Sequence, residues 1–208
     1  MKYPRTKHLP NDDKRMDDVN SLLGMELVIT EKMDGSNMCW TRDDIFARSH
    51  NGPPAHPSFD LAKAQHAQYQ SLIPQGVSIF GEWCFAKHSI EYTELPAYFL
   101  VFGVHDAHHN WWMKWDDVVK TAEGLNLLTA PVLVRKTFRS EQDLRAIIEE
   151  IASQPSLYGP EREGLVVRHA LGFADNEFAT AVGKWVRKDH VQTDQHWMHG
   201  PIIKQGLK

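Results

Sequence analysis

The sequence predicts an α+β fold built mainly of antiparallel sheet, and three observations carry that expectation. Short apolar, β-branched or aromatic runs recur along the chain, among them Leu27-Val28-Ile29, Val77 to Trp83 and Phe99 to Val104. Each is strand-length and bounded by turn residues. Helical patterns are inserted between these runs, and the strands outnumber them. One segment carries a full set of helix signals: Ser140 as cap, Asp143 in the first turn, and Leu144, Ile147, Ile148 and Ile151 at i, i+3, i+4, i+7.

Taken in order, Met16 to Leu23 reads as a short helix. Strands are expected at 25–31 and 37–42, joined by a turn at Asp34-Gly35. Asn51-Gly52-Pro53-Pro54 marks a loop. Leu61 to Leu72 reads as a polar helix rich in Ala and Gln. Strands follow at 77–84 and 98–105, separated by a loop that contains Pro96. Asp116 to Leu125 reads as helix, Pro131 to Phe138 as strand, and Leu165 to Arg168 and Val182 to Lys188 as the closing strands.

The 208 residues suffice for one domain with a sizeable core, so a single domain over 1–208 is expected. Hydrophobic content of 42% with 24% charged residues is ordinary for a soluble globular chain. Apolar stretches are short and interrupted, which excludes a membrane-spanning helix. The first residues lack a signal-peptide core, and two cysteines, Cys39 and Cys84, offer no disulfide framework. A cytoplasmic location is the expectation. A net charge of −4 argues against a general basic nucleic-acid binder, yet residues 184–208 carry a local excess of three positive charges. Such an excess suits phosphate contacts, and a solvated tail suits it equally.

The most informative stretch is Glu31-Lys32-Met33-Asp34-Gly35-Ser36-Asn37, directly after an apolar run. A lysine at a strand end, with Asp-Gly two residues on, suits nucleophilic attack by an amine on phosphorus. An ordinary lysine, with a pKa of about 10.4, is protonated at neutral pH and must be perturbed to serve. Gly35 is expected to let the backbone turn and to leave space. Downstream stand Phe80-Gly81-Glu82-Trp83, Tyr98 to Gly103, Glu163-Gly164-Leu165-Val166-Val167-Arg168 and Gly183-Lys184-Trp185-Val186-Arg187.

In order and spacing these motifs resemble the covalent nucleotidyltransferase superfamily of DNA ligases, RNA ligases and mRNA capping enzymes. Within it the chain is most similar to ATP-dependent RNA ligases of the RNA ligase 2 group, from about residue 25 onward. The resemblance implies an adenylation domain, ATP-grasp-like, with two mainly antiparallel sheets flanking a nucleotide cleft. It implies an ATP-dependent RNA ligase using Mg²⁺ or Mn²⁺, which joins an RNA 5′-phosphate to a 3′-hydroxyl.

Residue by residue, the resemblance makes Lys32 the nucleophile that becomes lysyl-AMP and Lys184 the holder of the α-phosphate. Glu31 would help read the adenine edge. Asp34 and Asn37 would shape the turn and hold Lys32 or the ribose, roles that plain turn chemistry also explains. Arg48 would contact nucleotide or incoming phosphate. Glu82, inside an apolar strand, needs a partner, and ribose hydroxyls or an internal salt bridge would serve. Phe102 would stack on the purine, although its apolar neighbours also suit a core residue. Glu163 would lie near the divalent ion, which takes oxygen ligands.

Relatives often carry a second lysine two residues after Lys184, whereas this chain has Val186, so the second cation falls to Arg187 or Lys188. Strand parity favours Lys188. The 21 residues after Arg187 are too few for an OB barrel, so a minimal catalytic module is expected, with an accessory protein supplying RNA specificity. A minimal DNA ligase, a GTP-using capping-type transferase and a degenerate nucleotide- or RNA-binding domain are the alternatives. The histidines (His105, His108 and His109 in a turn; His190, His196 and His199 in the tail) lack zinc-site spacing. Trp111, Trp112, Trp115 and Trp197 read first as packing aromatics, with base stacking as the other use.

Overall fold

The computed structural model describes residues 1–9, 19–49, 52–187 and 200–208. Twelve strands are present among these residues: β1 (Lys7–His8), β2 (Glu26–Lys32), β3 (Ser36–Trp40), β4 (Ile45–Ala47), β5 (Val77–Trp83), β6 (Phe99–Asp106), β7 (Trp111–Trp112), β8 (Leu128–Thr129), β9 (Val132–Thr137), β10 (Gly164–His169), β11 (Phe173–Ala174) and β12 (Val182–Val186). Four α-helices accompany them: α1 (Asp60–Tyr69), α2 (Trp115–Gly124), α3 (Glu141–Ala152) and α4 (Phe178–Ala181).

The strands form two mostly antiparallel sheets, as the sequence predicts. A five-stranded sheet has the order β1-β12-β10-β2-β9, and a seven-stranded sheet the path β11-β7-β6-β5-β3-β4 with β8 beside β6. Two short strands, β1 against β12 and β8 against β6, pair in parallel.

Alternation along β2 and β10 decides which face of the first sheet is apolar. Leu27, Ile29, Leu165 and Val167 bury against Leu144, Ile148 and Ile151 of α3. The Ser140 hydroxyl caps that helix by accepting the Asp143 N–H at 3.1 Å. In the second sheet, Trp40 stacks on Phe99 at 4.3 Å, inside a core that includes Ala62 of α1 and Val118 and Ala122 of α2. A third cluster, with Cys39, Phe80, Trp112, Phe178 and Val182, joins the two sheets. No helix among the described residues is long and apolar enough to cross a membrane.

Three local expectations are corrected. In place of a helix over Met16 to Leu23 there is a single 3₁₀ turn, Val19–Leu22, and residues 16–18 fall outside the described set. The helix expected to Leu72 ends as α at Tyr69 and closes with a 3₁₀ turn, Gln70–Leu72. The last strand stops at Val186, and Lys188, like Asn51, lies outside the described residues. The short strands β1, β4, β7, β8 and β11 were not expected. Two or three residues show no period, and the partners of β1, β8 and β11 lie well away in sequence.

Gly164 marks the tightest approach in the sheet that carries the lysine motif. A Cβ there would sit 2.1 Å from the Trp185 carbonyl oxygen. Gly164→Ala is therefore expected to cost about 1–3 kcal/mol by overpacking, read as a lower urea midpoint with an unchanged m-value.

Candidate active site

Cross-strand neighbours share a face of a sheet, and successive residues alternate faces. Thr30, Val166 and Lys184 are direct neighbours across β2, β10 and β12, and Lys32, Gly164 and Val186 form the next row. Lys32 and Lys184 therefore project from the same face, toward the second sheet. Between the sheets lies a cleft of about 680 Å³, lined by Lys32, Glu82, Phe102, Arg168 and Lys184 among others.

Lys32 Nζ donates to both oxygens of Glu163, at 2.7 and 2.6 Å. Burial disfavours its charge, yet Glu163 and then Glu82 outweigh that effect and hold the lysine above its ordinary pKa. Glu82 is itself pushed up to about 8, first by burial. Lys32 opposes that shift, Glu163 and Asp34 add to it, and the Gly35 N–H opposes it. Lys184 shifts the other way: burial lowers its pKa, and Lys32, Arg48 and Arg5 lower it further against the pull of Glu163. The cleft thus holds a lysine kept as an ammonium by Glu163, a buried carboxyl with a raised pKa, and a second lysine whose pKa is lowered.

The other expected residues divide into two groups. Gly35, Asn37, Arg48, Glu82 and Phe102 line the cleft as anticipated. Gly35 does not take a left-handed backbone; its lack of a side chain matters because a Cβ would lie 2.5 Å from the Trp83 carbonyl oxygen. Glu31 borders the cleft, but strand parity turns its carboxylate away from Lys32. That carboxylate accepts the Leu157 N–H at 3.2 Å and lies 3.4 Å from Arg162 Nε, both partners being buried. Asp34, by contrast, is not among the lining residues. Its Oδ2 accepts the N–H groups of Ser89 and Ile90, both at 2.7 Å, and its own N–H donates to the Tyr92 hydroxyl at 2.9 Å. Arg187 pairs with Glu161 at 2.9 Å and does not line the cleft.

Several lining residues were not singled out from the sequence. Tyr3 packs edge-on against Phe102, with ring centroids 5.0 Å apart, and Arg5 lies close enough to affect Lys184. Arg168 is buried, donates to the carbonyls of Phe102 and Met113 at 3.2 and 2.7 Å, and sits against the rings of Trp115 and Phe173. Two-residue periodicity from Val166 would have placed Arg168 in the cleft; nothing nearby in sequence would have placed Tyr3 there. His105 lies in β6, buried, not in the expected turn, and bonds Asp175 at 2.7 Å; in the turn itself His109 bonds Asp106 at 2.6 Å. Trp112 and Trp115 are core residues and Trp111 is exposed, while His190, His196, Trp197 and His199 lie outside the described residues. Among the described residues no group of three or more His, Cys, Asp or Glu forms a ready metal cluster. Glu163 and Glu82 are the carboxylates whose charge Lys32 feels most.

Comparison with known proteins bears on the family and the fold. The RNA ligase family matches residues 25–186. No curated protein matches the chain. Among solved structures, the Naegleria gruberi RNA ligase with PPi is 17% identical with a TM-score of 0.67, over 92% of this chain and 57% of that one. A mutant of the Naegleria gruberi enzyme with ATP and Mn is 14% identical with a TM-score of 0.66, over 92% and 58%. Another, with AMP and Mn, is 16% identical with a TM-score of 0.63, over 92% and 57%. At these identities the likeness establishes the fold, and the chain spans less than two thirds of the length of those ligases.

Two outcomes follow from the charges in the cleft. Glu163→Gln removes the strongest influence raising the Lys32 pKa, so acylation of Lys32 by an amine-reactive reagent should reach half-maximum at lower pH than in the wild type. Glu82 has its folded pKa raised to about 8 from 4.5. Its contribution to stability is complete below pH 4.5 and is lost as pH rises through about 8. The melting temperature of Glu82→Gln, followed by circular dichroism, should therefore gain on the wild type across that window.

Proposed function

The chain belongs to the RNA ligase family, and from that premise we propose that it joins RNA ends through a covalent lysyl-AMP on Lys32. The observation that carries the reading is the clamp of Lys32 on Glu163, in a cleft that also presents Lys184, Arg48 and Phe102.

ATP enters with its purine against Phe102, its ribose near Glu82 and Asn37, and its α-phosphate between Lys32 and Lys184. Lys32 gives up a proton, for which the Glu163 carboxylate already in contact is the nearest acceptor. The nitrogen lone pair then forms a bond to the α-phosphorus as the bond to pyrophosphate breaks. Lys184, whose pKa is lowered first by burial, would as an ammonium stabilise the negative charge that develops. Arg48, which also lines the cleft, would hold a phosphate.

Glu163, with Glu82 in the same cleft, would hold Mg²⁺ or Mn²⁺ through carboxylate oxygen, and the ion would supply charge neutralisation. AMP then passes from Lys32 to an RNA 5′-phosphate, and a 3′-hydroxyl attacks to close the phosphodiester and release AMP. An accessory protein supplying RNA specificity belongs to the same proposal. The two buried free cysteines suit a reducing, cytoplasmic setting.

Incubation with α-labelled ATP or GTP and Mg²⁺, wild type beside Lys32→Ala, tests the first step on a denaturing gel. The expected result is label from ATP on the wild type alone. Label from GTP would move the reading to capping chemistry, and no label on folded protein purified free of AMP would reduce the chain to a binding module.

A further inference from the structure

We infer that Gln205, outside the stretch matched by the family, is a positioning residue for Lys32. The inference rests on the adenylylation reading above.

Residues 203–208 lie against the connection between β5 and β6 as a strap. Lys87 N–H donates to the Ile203 carbonyl at 2.8 Å, Gln205 N–H to Phe85 at 2.9 Å and Gly206 N–H to Tyr92 at 2.9 Å. Leu95 N–H donates to the Gly206 carbonyl and Lys208 N–H to Leu95, both at 3.0 Å. The fit is close at Gly206, where a Cβ would lie 2.5 Å from the Thr93 carbonyl oxygen.

Gln205 is buried, and every polar group it carries is used. Its Oε1 accepts the Tyr92 N–H at 2.8 Å, its Nε2 donates to the Ile90 carbonyl at 2.7 Å, and its carbonyl accepts the Tyr98 hydroxyl at 3.1 Å. A carboxamide donates and accepts at once, so it can tie residues 90 and 92 to each other at a fixed spacing. Those two residues grip Asp34. The Ile90 N–H reaches Asp34 Oδ2 at 2.7 Å, and the Tyr92 hydroxyl takes the Asp34 N–H at 2.9 Å. Asp34 stands two residues beyond Lys32, in the link between β2 and β3.

The hydrogen bonds therefore run unbroken from the strap, through Ile90 and Tyr92, to the backbone that carries the nucleophile. An apolar side chain could fill the Gln205 site, but it could not fix the 90–92 spacing. A buried amide satisfied at both ends selects one arrangement of its neighbours. The end of β2 must hold Lys32 in line with an α-phosphate, and a misplacement of about 1 Å can cost about a hundredfold in rate.

The test is single-turnover formation of the Lys32–AMP adduct at saturating ATP and Mg²⁺, in wild type, Gln205→Ala, Gln205→Glu and Tyr92→Phe, with the ATP dependence and melting temperature of each. In Gln205→Ala and Tyr92→Phe the saturating rate should fall by about tenfold or more while the KM for ATP stays within about threefold, in proteins folded at the assay temperature. Gln205→Glu keeps the acceptor for Tyr92 but donates to Ile90 only when protonated, so its rate relative to wild type should recover as pH falls. Should Gln205→Ala not fold, Tyr92→Phe carries the test, because it removes one hydroxyl and leaves the strap in place. Wild-type rates in folded variants, or a loss confined to KM, would overturn the inference. No adduct in the wild type would instead overturn the adenylylation reading on which it rests.

Discussion

The ammonium of Lys32 sits in a cleft that strips away much of its water, and it is tolerable there because Glu163 accepts two hydrogen bonds from it. Burying either partner alone would be costly, whereas the bidentate contact offsets much of the desolvation. The same contact locks the lysine in the wrong protonation state for attack. On the proposed function, a nucleotide bound beside Lys32 would have to loosen this contact, with Glu163 as the nearest group to take the proton. In this account the resting site is held closed by its own charges and opened by its substrate.

That contact depends on strand register. Lys32 lies opposite Gly164, and Glu163 immediately precedes β10, so one antiparallel pairing brings a carboxylate 131 residues away in sequence onto the lysine. The next row of the sheet, Thr30, Val166 and Lys184, sets the second cation on the same face. A one-residue slip would turn Lys32 toward the apolar face under α3 and bring Glu31 into the cleft. The bare backbone of Gly164 against Trp185 and the apolar contacts of Leu27, Ile29, Leu165 and Val167 hold the register. Stability and chemistry thus draw on opposite faces of the same strands.

Much of this was legible in the sequence, because the longer elements carry their own periodicity. β2, β5, β6, α2 and α3 fall within one or two residues of their expected bounds, and Ser140 caps as its spacing implies. Lys32, Glu82, Phe102 and Lys184 sit in one cleft as their motifs suggested. What stayed illegible depends on tertiary contact. Glu31 borders the cleft beside Lys32, yet its carboxylate contacts Leu157 and Arg162, partners that no local pattern names. Asp34 serves the loop of Ser89, Ile90 and Tyr92, more than fifty residues on, which no local pattern could reveal. Tyr3 and Gln205 enter the site region from the ends of the sequence, far from any recognisable motif.

The measurement that bears most directly on the central claim is a crystal structure with Mg²⁺ and an ATP analogue whose α,β-bridge cannot be cleaved. The account predicts Lys32 Nζ released from its two-oxygen contact with Glu163 and facing the α-phosphorus opposite the bridging group, with Lys184 on the same phosphate and the purine against Phe102. A nucleotide bound with Lys32 still clamped on both Glu163 oxygens, or seated away from Lys184, would contradict it.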